Sequence, residues 1–156
     1  MKIKVTRFGI DELQAAAEVI RKFGLRSTQS RLRSLLACNR NFFIVAAAGR
    51  ASAGFTYGYE LLRPDDASML FLYSIDVLPQ YRRAGVATAI MSYLRKEVRR
   101  RHMKELFVFT RRSNRPAVEL YKATGGIIEN GDDLLFVYPG ELSRALAQPS
   151  ARNGRR

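Results

Sequence analysis

The sequence predicts an α/β (α+β) domain, in which a central mixed sheet of six to seven strands is flanked by helices. Three observations lead there. An apolar run from Met69 to Val77 reads as a strand, a basic glycine-containing turn follows, and a helical pattern begins at Gly85. That helix leads to a second apolar run, Glu105 to Thr110, which makes a βαβ unit and so implies a parallel strand pair. The other strand-like and helix-like runs complete the order β-αα-β-β-β-α-β-α-β-β.

Each element has its own local reason. Residues 2–7 alternate in polarity, as an edge strand does. Asp11 and Glu12 suit a helix start through its dipole, Leu13, Ala16, Ala17, Ile20 and Phe23 share one helical face, and Gly24 ends it. Ser27 or Thr28 can cap a second short helix carrying Leu32, Leu35 and Leu36. Phe42 to Ala48 and Ser52 to Leu62 are strands around the turn Gly49-Arg50. The long helix, Gly85 to Arg101, places Val86, Ile90, Leu94 and Val98 at steps of four. Ser113 or Asn114 caps the next helix, whose apolar face is Ala117, Leu120, Tyr121 and Thr124, and Leu134 to Tyr138 is the last strand. Residues 1–140 thus form a single domain, followed by a basic tail over 141–156 whose composition predicts disorder.

Composition narrows the function. A single cysteine, Cys38, excludes an internal disulfide and a thiolate cluster for zinc, and a single histidine, His102, excludes a multi-histidine metal site. No metal is expected. No apolar run is long enough to span a membrane and no signal peptide is evident, so the expected setting is a reducing cytoplasm. The formal charge of +13 attracts polyanions, of which coenzyme A and nucleic acid are both examples. The run Arg99-Arg100-Arg101-His102 reads better as the solvated C-terminal end of a helix, where cations suit the dipole, than as a nucleic-acid patch. Phe107 and Phe109 read as core rather than as platforms for bases.

The chemistry-bearing stretch is the turn between the strand at Val77 and the long helix. In Arg82-Arg83-Ala84-Gly85-Val86-Ala87-Thr88, the small residues let backbone N–H groups at the helix start approach a ligand, and such a helix terminus is an anion site. Arg82 and Arg83 add charge-assisted contacts to phosphate. Neither GxxxxGK[ST] nor an early GxGxxG occurs. The pattern Arg82-x-x-Gly85-x-Ala87 resembles the [RQ]-x-x-G-x-[GA] signature of the GNAT superfamily of acetyl-coenzyme A dependent N-acetyltransferases. Asn114-Arg115-Pro116-Ala117-Val118-Glu119-Leu120-Tyr121-Lys122-Ala123-Thr124-Gly125-Gly126 resembles that family's N-x-x-A-x-x-L-Y-x-x-x-G-F, with Gly126 in place of the final Phe. The resemblance covers roughly residues 42–138.

The resemblance implies a GNAT fold whose central parallel strands splay apart around the coenzyme. It implies acetyl-coenzyme A as cosubstrate, held by Val77, Arg82, Arg83, Ala84, Gly85, Val86, Ala87, Thr88, Asn114 and Tyr121. It further implies direct transfer of the acetyl group to a primary amine, with Tyr121 as general acid toward the leaving thiolate and a backbone N–H near Val77 facing the oxyanion. The family does not assign the base. Asp76, with Ser74 on the same strand face, and Glu60 are the candidates, and Tyr59 or Tyr73 could instead order a water chain.

Within the superfamily the chain most resembles the aminoglycoside 3-N-acetyltransferase group, through 72–77, 81–89 and 116–121. It departs from that group between Phe109 and Pro116, where Arg111, Arg112 and Arg115 stand in place of acidic residues. Glu129, Asp132 and Asp133 could supply the carboxylates that a polycation needs; Glu60, Ser74 and Asp133 are the acceptor-side candidates. Other acceptors in view are a polyamine, an amino-acid derivative, and a protein lysine or N-terminus. A homodimer is compatible with the sequence. The alternative of another class is a non-catalytic nucleic-acid-binding protein on the same scaffold, which the Arg82, Gly85 and Tyr121 set argues against.

Overall fold

The computed structural model describes residues 1–132 together with Leu135 and Tyr138. The strand expected at Leu134 to Tyr138, these two residues apart, the candidate Asp133 and the tail over 141–156 lie outside the described residues. The chain divides into two compact units, Met1–Gly126 and Ile127–Arg156. In the second, residues 127–132 are exposed, and the Asp132 amide donates to Asn130 Oδ1 at 3.0 Å.

The first unit holds β1 (Ile3–Phe8), α1 (Leu13–Lys22), α2 (Gln29–Ala37), β2 (Asn41–Ala48), β3 (Ala51–Leu61), β4 (Met69–Val77), α3 (Val86–Arg100), β5 (Leu106–Val108) and α4 (Arg115–Ala123). The strands lie in sequence order in one sheet. The first three pairings are antiparallel, and β4 and β5 run parallel, as a βαβ crossover through α3 requires. Among the described residues the sheet has five strands, fewer than the six to seven expected, and β5 ends at Val108 rather than Thr110.

β2 explains why the sheet is covered on both faces. Its run is apolar without alternation, and Phe42 through Ala46 are all buried. Phe42, Ile44 and Ala46 meet Val86, Ile90, Met91 and Leu94 of α3, with Leu120 and Tyr121 of α4 packed against the same cluster. Phe43 and Val45 point the other way, to Ala16, Val19 and Ile20 of α1 and Leu32 and Leu36 of α2. Thr28, one of two expected caps, accepts from the Arg31 amide at 3.2 Å. The first turn of α3 can settle on the sheet because position 54 has no side chain: a Cβ on Gly54 would lie 2.7 Å from Val86 Cγ1 and 3.1 Å from the Asp76 carbonyl oxygen.

A bulge in β4 sets which way the site residues face. Tyr57 pairs with Ser74 and Gly58 with Leu72, so Tyr73 is the extra residue with no partner on β3. Before it, Leu70 and Leu72 enter the α3 cluster; after it, Ile75 and Val77 do. An unbroken alternation from Leu72 would have driven Asp76 beneath α3. The bulge instead turns it to the opposite face, where it is exposed.

Candidate active site

Parallel pairing between β4 and β5 covers three residue pairs, Leu70 with Leu106, Phe71 with Phe107 and Leu72 with Val108, and stops there. β4 continues to Val77 without a β5 partner. The strands therefore part at their carboxyl ends, the place where open α/β sheets bind ligands. The splay expected from the family resemblance is consistent with this register.

The turn after β4 is tied down and then left open. Pro79–Tyr81 form one 3-10 turn, and Arg82 Nε donates to the Val77 carbonyl at 3.4 Å. Arg83 takes φ 59° and Gly85 φ 81°, so two left-handed residues flank Ala84 in the turn. At Gly85 the constraint is this dihedral rather than space, since an added Cβ would meet only Ile3 Cδ1, at 3.9 Å. Gly85 is the N-cap of α3 and provides no side-chain cap, so the first-turn N–H groups over Val86, Ala87 and Thr88 keep their donor capacity. Arg82, Arg83, Ala84, Gly85 and Thr88 are all exposed.

Tyr121 sits on α4, half-buried against the α3-side core. Burial, and after it the negative charge of Asp76, raise its phenol above the usual tyrosine value. The phenol is therefore protonated at neutral pH and above. Asp76 acts electrostatically on Tyr57 as well. Burial first, then Tyr73 and Tyr59, and least of all Asp76 push Tyr57 up to about 12, while Ser74 acts in the opposite sense. Ser74 thus shares the face of Asp76, as strand alternation predicts. Its carbonyl also accepts from the buried Thr56 hydroxyl.

Asn114 is the N-cap of α4, its Oδ1 accepting from the Ala117 amide at 3.4 Å. The helix ends in a tight cap in which the Gly126 amide donates to the Tyr121 carbonyl at 2.8 Å. A Cβ at 126 would lie 3.0 Å from that oxygen, so the residue that departs from the family pattern occupies a crowded turn.

Glu60 is not brought to this group. It pairs across the sheet with Leu70, six residues before Asp76 and so ~20 Å away along β4. Its Oε2 lies 3.0 Å from Arg101 Nη1, and its Oε1 accepts from the Ser68 hydroxyl at 2.7 Å. Both oxygens are thus engaged, one by a guanidinium and one by a hydroxyl, away from the open end of β4. Arg101 likewise departs from the solvated helix end expected of it, lying over the Phe42 ring at 4.9 Å and bridging Glu60 and Glu97. Phe109 is 64% exposed, and Phe107 is half-buried, stacked on Phe71 with ring centroids 5.2 Å apart; neither belongs to the buried core. Sequence reasoning missed Tyr57. Its place on β3 gave no signal, because its link to Asp76 depends on the β3–β4 register.

A mixed sheet whose parallel pair is left open beyond Leu72 and Val108, followed by a helix with an uncapped N-terminus, defines an α/β protein of the open-sheet class. The chain belongs to the acetyltransferase (GNAT) family, whose sequence model matches residues 12–125. That match takes in α1 and α2, which the motifs alone did not reach. It is similar in structure to an aminoglycoside acetyltransferase from an uncultured soil metagenomic sample, solved in complex with trehalose (TM-score 0.81, 19% identity, 89% of this chain and 97% of that one). It is also similar to a ribosomal-protein-alanine N-acetyltransferase from Brucella melitensis biovar Abortus 2308 (TM-score 0.71, 15% identity, 88% and 100%). A third similar structure is the aminoglycoside N-acetyltransferase AAC(6')-Iy in complex with CoA (TM-score 0.70, 16% identity, 88% and 95%). At these identities the likeness establishes the fold. A comparison with curated protein sequences finds no match. Among the described residues no helix is long and apolar enough to cross a membrane, and no group of three or more His, Cys, Asp or Glu could hold a metal.

Proposed function

We propose that this protein transfers acetyl from acetyl-coenzyme A to a primary amine by direct attack within a ternary complex. The observation that carries the reading is the open end of β4, which runs past its last β5 pairing with Asp76 exposed on it and leads into the uncapped N-terminus of α3. The residues fit the cosubstrate: the turn over 82–88 presents backbone N–H groups and two exposed guanidinium groups to phosphates. When bound, acetyl-coenzyme A supplies the thioester carbonyl and a thiolate leaving group.

The chain's own residues handle the protons. An alkylammonium has a pKa near ~10 and must lose a proton before it can attack. Asp76 is exposed on the sheet and takes that proton directly or through one water. The amine nitrogen forms the new C–N bond as the C–S bond breaks, and Tyr121 gives its proton to the sulfur. The nitrogen loses its second proton to solvent as the amide forms, and the proton held by Asp76 returns through solvent to the Tyr121 phenolate, so the products are an acetamide, a free thiol and one proton. The lack of a β5 partner for β4 near Val77 supports backbone N–H groups there as the donors to the oxyanion.

The acceptor follows less directly. Aminoglycosides are possible acceptors by fold likeness, as are protein and amino-acid amines. A polyanion-binding role without catalysis is disfavoured, because Arg101 pairs with Glu60 and Arg100 with Glu97 rather than forming an open basic strip. The test is release of free thiol from acetyl-coenzyme A across a panel of amines. Amine-dependent release that vanishes in Tyr121→Phe and Asp76→Asn supports the reading; DNA binding with a steep salt dependence and no release with any amine overturns it.

A further inference from the structure

The sheet face that carries Asp76 also carries a continuous set of aromatic rings that the transfer chemistry does not use. Tyr57 stacks on Tyr73 with ring centroids 4.9 Å apart, and Tyr59 meets Tyr57 edge-on at 6.2 Å. Phe71 meets Tyr73 at 6.0 Å and stacks on Phe107. This shelf is open: Tyr73 is 57% exposed although it lies mid-strand, where the bulge pushes it off the β3 ladder. Burial and the neighbouring Tyr73 and Tyr59 keep the Tyr57 phenol neutral to high pH.

The carboxylates of the fold are unevenly committed. Glu60 is tied to Arg101, Glu97 to Arg100 and Arg101, and Asp66 to Arg63 and Lys104. Asp76 has no such ion pair among the described residues, and its charge is the one that reaches Tyr57 and Tyr121. One free carboxylate at the end of an aromatic shelf matches one ammonium on an aromatic body. A polycation would need several carboxylates and would gain little from rings it cannot cover. Asp76 and Tyr73 are three residues apart, about 10 Å along the strand. That is the reach of an amine joined by a short chain to an aromatic ring.

Building on the transfer reading above, we propose that the acceptor is an arylalkylamine: a single primary ammonium at Asp76, with its ring laid on Tyr73 and Tyr57.

Two separate measurements test this and the transfer reading independently. The first is thiol release with 2-phenylethylamine, n-butylamine, spermidine and gentamicin. The second is calorimetric binding of 2-phenylethylamine to the full chain saturated with coenzyme A. Ring stacking of the usual strength raises kcat/KM for 2-phenylethylamine over n-butylamine by about 2- to 12-fold. Tyr73→Ala, at an exposed position, removes that ratio. A higher kcat/KM for spermidine or gentamicin, or an equal loss for both monoamines in Tyr73→Ala, overturns the assignment. Saturable binding of 2-phenylethylamine that Tyr73→Ala weakens, without thiol release from any amine, removes the transfer reading and leaves the shelf. Failure of 2-phenylethylamine to bind removes the shelf, whatever other amine is turned over.

Discussion

Glu60 Oε2 lies 3.0 Å from Arg101 Nη1, and this ion pair ties β3 to the end of α3, 41 residues further along the chain. The two side chains are only 13% and 21% exposed, and the guanidinium also covers the Phe42 ring. A carboxylate so engaged holds the C-terminal end of α3 to the sheet. Glu60→Ala should therefore cost stability, about 1–3 kcal/mol, because the guanidinium loses its partner in a partly dry setting. The melting temperature falls by several degrees, while kcat with saturating substrates stays within about twofold. A collapse of kcat in a variant with unchanged stability would return Glu60 to the chemistry.

Gly85→Asp tests the cosubstrate turn. The left-handed backbone at φ 81° strains any side chain, and an added carboxylate would stand at the uncapped N-terminus of α3, where the proposed phosphates bind. Acetyl-coenzyme A should raise the melting temperature of the parent by mass action and leave that of the folded variant unchanged. Equal stabilisation of both proteins would place the coenzyme elsewhere.

For the proton transfers, Tyr121→Phe should lower kcat by roughly tenfold to a thousandfold, with little change in coenzyme affinity because the ring still packs on the core. Asp76→Asn should lower it by roughly a hundredfold to ten-thousandfold. It should also restore some rate at high pH, where the amine is already neutral. A pre-steady-state measurement showing unaltered acetyl transfer in Tyr121→Phe would assign that residue to packing alone.

Tyr57 makes a pH-dependent contribution of known sign. Its folded value is raised from 10.0 to about 12, first by burial and then by Tyr73, Tyr59 and Asp76. The unfolded chain ionises this phenol more readily, so the contribution is complete below pH 10 and disappears as pH rises through about 12. Tyr57→Phe should therefore be less sensitive to alkaline unfolding between those limits, as seen by denaturant titration at pH 9 and pH 11.5. Identical pH dependence of the two proteins would show that Tyr57 is as well solvated in the fold as out of it.

Much of this site was legible in the sequence. The periodicities of α1, α3 and β2, the glycine-containing turn at 82–88 and the motif carrying Tyr121 are short-range patterns, readable because backbone geometry imposes them within a few residues. Tertiary structure decided the rest. Alternation along β4 put Ser74 and Asp76 on one face but not on which side of the sheet, and only the bulge at Tyr73, defined against β3, turned that face away from α3. Glu60 looked as available as Asp76 until the fold placed Arg101 beside it, and Tyr57 had no visible role until the β3–β4 register brought it to Ser74 and near Asp76. The physical reason is common to all three: a carboxylate or phenol acquires its role from the charges and rings that reach it across the sheet, and those neighbours are distant in sequence.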